Sequence, residues 1–447
     1  MNLVINNSPG VFSKVLLICV IFGFFTILIS TWFIGSIEVF YAWIIILNIY
    51  LIYIFKNNQG FLLLYIFCLF YTLSLIPYYF FHIDVSVWED FNERKYYDTV
   101  LKVYGIFLVT PLFLFKKSKD KFIYSLAIPK NPNVIGFFTT CLVCASIIVW
   151  GQSGSNVFES GGYGYSLNES SKSTIYEYFI IFFVLAYYYS NRKRNQVIIL
   201  FALFLIYVIK SLLFGGRIEV VQLLLLCYFI LVIDYKLIIQ PSIIIVVCLV
   251  LYYLSQIFSS VRSNPVPLLQ GEYVSYLNPF EYYSDSRVSY VSSNEGDVVQ
   301  SSVRLVGLIE NGFLNTITRI KAFAFFIFSI FVPSSWLPEE ASLITYKKDI
   351  FNSGGGGFIA VYFYVFLGWL GPFIIAAYLF WIYRLTLFYK NIYLKFYLLM
   401  IFSTFPRWFA YNPIVLFKLC LWIIPILFVF NLAFNSLKMI IINSDLR

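Results

Sequence analysis

Apolar residues dominate the chain in continuous runs of about 17 to 25, the length a helix needs to cross roughly 30 Å of hydrocarbon. A strand of an outer-membrane barrel would instead alternate over about ten residues. Windows of about 19 residues predict spans near 11–34, 37–55, 61–81, 98–115, 134–152, 175–190, 196–213, 218–234, 240–258, 358–383, 394–410 and 414–435. The expected fold is therefore an all-α polytopic membrane protein with about 12 transmembrane helices. It divides by chain order into residues 1–258 with nine spans, a large external loop at 259–357, and residues 358–447 with three more.

Within the loop, Val299, Val303, Val306 and Ile309 repeat at three- and four-residue steps and Asn311-Gly312 supplies a stop, which predicts an amphipathic helix near 299–310. A second apolar helix follows from 313 to 331, ended by Pro333; its stretch 322–332 is too short to span. Both are expected to be short interfacial helices.

Charge sets the sidedness. Lys56, the lysines between 116 and 130, Arg192 to Arg194, Lys236, Arg384, Lys390, Lys395, Lys438 and Arg447 all fall on one face. The positive-inside rule makes that face cytoplasmic, together with both termini. The opposite connections include 82–97, which carries Asp84, Glu89, Asp90 and Glu93, and the loop at 259–357, whose seven basic residues run against the rule.

Composition agrees with a chain dissolved in lipid: 61% hydrophobic, 12% charged, mean hydropathy +0.83. The net charge of +9 is mostly orientation signal, so no nucleic-acid partner is expected. All seven cysteines lie in apolar runs, and Cys141-x-x-Cys144 has no βαβ context, which makes a redox role improbable. With His82 the only histidine, neither a metal site nor a cofactor is expected. Asn168-Glu169-Ser170 matches a glycosylation acceptor, a pattern frequent by chance.

Candidate chemistry gathers around the large loop. Arg217 opens a span directly after Gly215-Gly216, where helix-terminal amides and a fixed cation both favour an anion. Arg262 lies four residues past the ninth span. Arg287, Arg304, Arg319 and Lys321 offer further grips for phosphate. Tyr273 and Tyr276 present sugar-packing faces. Among Glu272, Glu281 and Glu310, Glu310 is the chosen candidate base. Each has a plainer reading, the arginines as headgroup anchors and the tyrosines as interfacial residues. The run Gly354 to Gly357 lacks the Lys and Ser/Thr of a P-loop and reads either as a linker or as a hinge.

Phe214-Gly215-Gly216-Arg217, then Ser259-Ser260-Val261-Arg262, the large loop, and Gly354-Gly355-Gly356-Gly357-Phe358-Ile359-Ala360 leading to Leu367-Gly368-Trp369-Leu370-Gly371 resemble, in order and topology, the bacterial O-antigen polymerase (Wzy-type) family. The likeness covers about residues 210–385. It implies a fold similar to membrane glycosyltransferases of the C superfamily and a location in the bacterial inner membrane. The implied substrate is an undecaprenyl-diphosphate-linked oligosaccharide, joined to the next unit at the periplasmic face, with a chain-length regulator as partner. In those terms Arg217, Arg262, Arg304 and Glu310 are the catalytic candidates, and Arg287, Arg319, Lys321, Tyr273 and Tyr276 bind substrate. A lipid-linked oligosaccharide flippase and an O-antigen ligase are the alternatives. The identity of the sugars and the stereochemistry of transfer are not legible.

Overall fold

A computed structural model describes residues 11–33, 37–83, 93–114, 128–151, 174–213, 217–234, 282–284, 289–291, 294–332, 356–388 and 391–445, with isolated positions at 240–250 and 336. In chain order the helices are α1 (Val11–Phe33), α2 (Ile37–Phe55), α3 (Gln59–Leu73), α4 (Ile76–Phe81), α5 (Arg94–Leu114), α6 (Val134–Trp150), α7 (Phe179–Tyr189), α8 (Arg194–Leu213) and α9 (Arg217–Asp234). They continue with α10 (Asn294–Glu310), α11 (Thr316–Phe331), α12 (Ile359–Leu367), α13 (Leu370–Phe388), α14 (Ile392–Ala410) and α15 (Ile414–Asp445). Strands β1 (Tyr282–Ser284) and β2 (Ser289–Val291) pair antiparallel as one short hairpin. Four stretches are long and apolar enough to cross a membrane: Ile37–Phe55, Gln59–Phe81, Arg194–Ser211 and Ile414–Phe434. Together with the shorter apolar helices they have the character of a helical membrane protein.

Two compact units form. Unit 1 holds Met1–Lys119, Tyr282–Ile327 and Ser335–Arg384; unit 2 holds Asp120–Glu281, Phe328–Ser334 and Leu385–Arg447. The three-part division by chain order describes connectivity, whereas these units describe packing.

In unit 1, α2 buries Ile37, Phe40, Tyr41, Ile44, Leu47, Asn48 and Leu51, a stripe at three- and four-residue steps. Asn48 donates from Nδ2 to Thr72 Oγ1 at 3.0 Å, and Tyr41 donates to the Thr72 carbonyl at 2.6 Å, so α2 and α3 are hydrogen-bonded where no water competes. Gly105 lets α5 close on α2: a Cβ there would lie 2.7 Å from Ile44 Cδ1.

α10 is a correction to the sequence reading. Its apolar face is covered by protein and not turned to lipid. Val298 to Leu308 are buried, packed against α5, α12 and α3. The face opposite the valines is Gln300, Ser301, Arg304 and Gly307, and its small residues admit close helix packing instead of facing water. Tyr97 hydrogen-bonds Gln300, Thr99 donates to Glu310 at 3.2 Å, and Asn311 donates to the Tyr96 hydroxyl at 2.8 Å. Residues 96–99 of α5 thus reach both Gln300 and the Glu310–Asn311 end of α10. α11 differs: Phe313, Ile317, Ile320 and Ile327 present an exposed apolar face, as a lipid-contacting helix should.

The expected span at 358–383 is broken. α12 ends at Gly368, whose φ of 64° and ψ of −150° suit essentially glycine alone. Arg319 closes the break, donating from Nε to the Val365 carbonyl at 2.5 Å and from Nη2 to the Tyr364 carbonyl at 3.1 Å. A cation on the orphan carbonyls of a helix C-terminus is doubly favourable. Arg319→Ala should therefore lower unfolding stability in detergent by roughly 1–2 kcal/mol, with Arg319→Lys recovering part of it. Unchanged melting in both variants would rule out this capping role.

In unit 2, α6 packs on α7, α9 on α14 and α14 on α15. Asn133 caps α6 by accepting from the Gly136 N–H at 2.8 Å. Cys141 and Cys144 are free and buried in α6, in keeping with a packing role for the C-x-x-C. Lys418 and Trp422 of α15 donate to the carbonyls of Val332 and Ile330, which satisfies the end of α11.

Candidate functional site

One end of the unit 2 bundle collects charge. A 3₁₀ turn over Thr174–Tyr178 precedes α7 and carries Tyr176 and Glu177. The Tyr176 ring stacks on Tyr207 of α8 with centroids 4.6 Å apart, and its hydroxyl lies 2.9 Å from Ser211 Oγ. Phe179 stacks on Tyr207 at 4.0 Å. Space for Tyr176 exists because residue 151 is glycine: a Cβ there would meet Tyr176 Cδ2 at 2.8 Å. Lys210 donates to the Ile148 carbonyl near the end of α6 and sits 5.9 Å over the Tyr176 ring. The turn is thereby fixed to α6 and α8, and Glu177 is aimed by a rigid neighbour.

The partner of Glu177 comes from far along the chain. Arg407, in the last turn of α14 and directly after Pro406, donates from Nη2 to Glu177 Oε1 at 2.5 Å. The chain then reverses. The Tyr411 and Asn412 N–H groups return to the Arg407 carbonyl at 3.1 and 2.9 Å, and Asn412 Oδ1 accepts from Ile414 N–H to start α15. About a quarter of each charged side chain is accessible, 27% for Arg407 and 22% for Glu177. Burial of this degree strengthens the pairing relative to a surface pair.

A second carboxylate lies within electrostatic reach of the same guanidinium. Glu219, in the first turn of α9, acts electrostatically on Arg407, Tyr176 and Tyr207. Among the described residues it makes no hydrogen bond or ion pair. Its place also suits the positive end of the helix dipole. Two donors remain open nearby in sequence and fold: Arg407 Nε, and Nε2 of Gln222, which is buried one turn after Glu219. A fixed cation, a carboxylate with free lone pairs and unused donors are what a site needs to stabilise a departing anion and accept a hydroxyl proton.

Arg217 is the first residue of α9, two positions before Glu219, so the sequence-based candidate and this cluster share one helical turn; its side chain is outside the described residues. So are Arg262, Arg287, Tyr273 and Tyr276. The remaining candidates are in unit 1. Arg304 is fully buried within α10, Glu310 is exposed at its end and accepts from Thr99, Arg319 is occupied by the α12 carbonyls, and Lys321 is exposed on α11. Arg407, Glu177 and Glu219 escaped the sequence reading, although each is an ionisable residue inside or at the edge of an apolar run, and such residues are functional-site candidates by default. No protein-family model matches the chain, and no curated protein or solved structure is similar enough to be matched to it.

Proposed function

We propose that the chain is a polysaccharide polymerase of the bacterial inner membrane that joins undecaprenyl-diphosphate-linked oligosaccharide units at the periplasmic face. The observation that carries the reading is the Glu177–Arg407–Glu219 cluster in the unit that also holds Arg217. The positive-inside rule assigns the helix ends that form it to the non-cytoplasmic side, with both chain termini in the cytoplasm and about 12 spans between them.

In this reaction the hydroxyl at the non-reducing end of one unit attacks the anomeric carbon of the other. Its proton passes to the Glu219 carboxylate, a carbon–oxygen bond forms, and the bond to the carrier diphosphate breaks with its electron pair leaving on the diphosphate. Negative charge grows on that leaving group; Arg407, held by Glu177 and three-quarters buried, opposes it without reorganising, and Arg217 supplies the second cation. Glu177 positions Arg407. A chain-length regulator is the expected protein partner.

The test is elongation of purified lipid-linked repeat units into a ladder. Arg217→Ala should abolish the ladder at unchanged membrane level, and Glu219→Gln, nearly isosteric but not basic, should slow it by about 10²–10⁴-fold. A normal ladder from both variants would remove these assignments. Transfer to lipid A core in place of a second unit would identify a ligase, and carrier flipping without elongation a flippase.

A further inference from the structure

A separate polar corner in unit 1 has no part in that chemistry. A cavity of about 110 Å³ is lined by Tyr78, Tyr79, His82 and Arg94. The rings of Tyr78 and Tyr79 pack edge to face at 87° with centroids 5.2 Å apart, Tyr79 buried and Tyr78 half-buried. Each is backed by another ring: Tyr78 stacks on Tyr97 at 3.9 Å and Tyr79 on Tyr41 at 4.8 Å. Tyr97 is in turn hydrogen-bonded to Gln300 of the buried α10. The walls are thereby set before any ligand arrives, which lowers the entropic cost of binding.

The polar groups are charge-balanced. Arg94 is ion-paired with Glu38, and Tyr79 donates to Asp98 at 3.4 Å. His82, held at the end of α4 with a left-handed φ of 54°, adds a ring that both donates and accepts. Glu38 and Asp98 offset the Arg94 guanidinium, and no second arginine lines the cavity among the described residues. Planar donors and acceptors beside the half-buried Tyr78 ring instead match the alternating hydroxyls and apolar C–H faces of a sugar.

We infer that the Tyr78–Tyr79–His82–Arg94 corner is a saccharide subsite that takes one neutral sugar residue of a glycan. The inference rests on the polysaccharide reading above and adds a grip on the chain remote in sequence from Arg217 and Arg407.

The test uses the full-length protein in nanodiscs and saturation-transfer NMR with a panel of methyl glycosides of glucose, galactose, mannose and N-acetylglucosamine. At least one should show transfer to its ring protons. Tyr78→Ala should remove it. Arg94→Lys, which keeps a cation opposite Glu38 but loses the planar fork, should weaken it by about tenfold. Absence of transfer from every glycoside, or equal transfer in wild type, Tyr78→Ala and Arg94→Lys, overturns the subsite. The elongation assay separates the two ideas: a ladder without glycoside binding leaves the polymerase and sinks the subsite, and the reverse result does the opposite.

Discussion

Replacing Arg407 by alanine is expected to abolish glycan elongation and to destabilise unit 2 by roughly 2–3 kcal/mol. This is below the ~3–5 kcal/mol of a fully buried broken pair, because part of each side chain still reaches solvent. The cost arises from Glu177, which would stay at the end of α7 with its only described cation removed. Removing both charges should be milder than removing either, since no uncompensated ion is then left. A double-mutant cycle on Arg407→Ala and Glu177→Ala, read by thermal unfolding in detergent, should therefore show coupling of about 1–2 kcal/mol. Elongation separates the two roles of Arg407: the double variant should regain stability yet remain inactive. An active double variant would reduce the pair to a structural strut, and additive single effects would deny that it is a pair.

The second large effect is expected at Gly371. Alanine in place of an ordinary helical glycine stabilises by roughly 0.5–1 kcal/mol. Here the sign reverses. A Cβ on residue 371 would be 2.0 Å from the Phe363 carbonyl oxygen and 2.8 Å from the Tyr364 backbone nitrogen. Both obstacles are backbone, so neither can rotate away. The break between α12 and α13 would have to reopen, displacing the Tyr364 and Val365 carbonyls from Arg319. A loss of about 3 kcal/mol or more is expected, seen as a marked fall in membrane level and melting temperature. An unaltered or raised melting temperature for Gly371→Ala would refute the close approach.

Much of the framework was legible because lipid solvation is a crude and reliable selector. Runs such as 37–55 and 414–435 need no subtle signal, and α2 and the apolar part of α15 coincide with them. Two departures have physical reasons. Valine periodicity gave α10 its helix but not its surroundings: a face of Gln300, Ser301, Arg304 and Gly307 looks solvated by composition, yet small side chains also permit burial between helices. The glycines of 368–371 were read as a family signature, while their steric function, a helix break, depends on a backbone oxygen eight residues upstream of Gly371.

The site was half legible. Arg217 announced itself by following two glycines at a helix start. Its neighbour Glu219, two positions further on, carries no such flanking signal. Arg407 and Glu177 are 230 residues apart, and only the fold makes them one object. Arg319 shows the converse, a loop arginine drawn toward substrate by chemical type but bonded to the end of α12.

The last helix has a practical consequence of its own. α15 runs for 32 residues, of which Ile414–Phe434 are long and apolar enough to cross a membrane. At ~1.5 Å per residue the whole helix is about 48 Å long, against roughly 30 Å of hydrocarbon. Even at a tilt of about 40°, a helix of that length that crosses the bilayer keeps an end outside the hydrocarbon. A fluorophore or epitope grafted near Ser444 would report which aqueous compartment the carboxyl end inhabits.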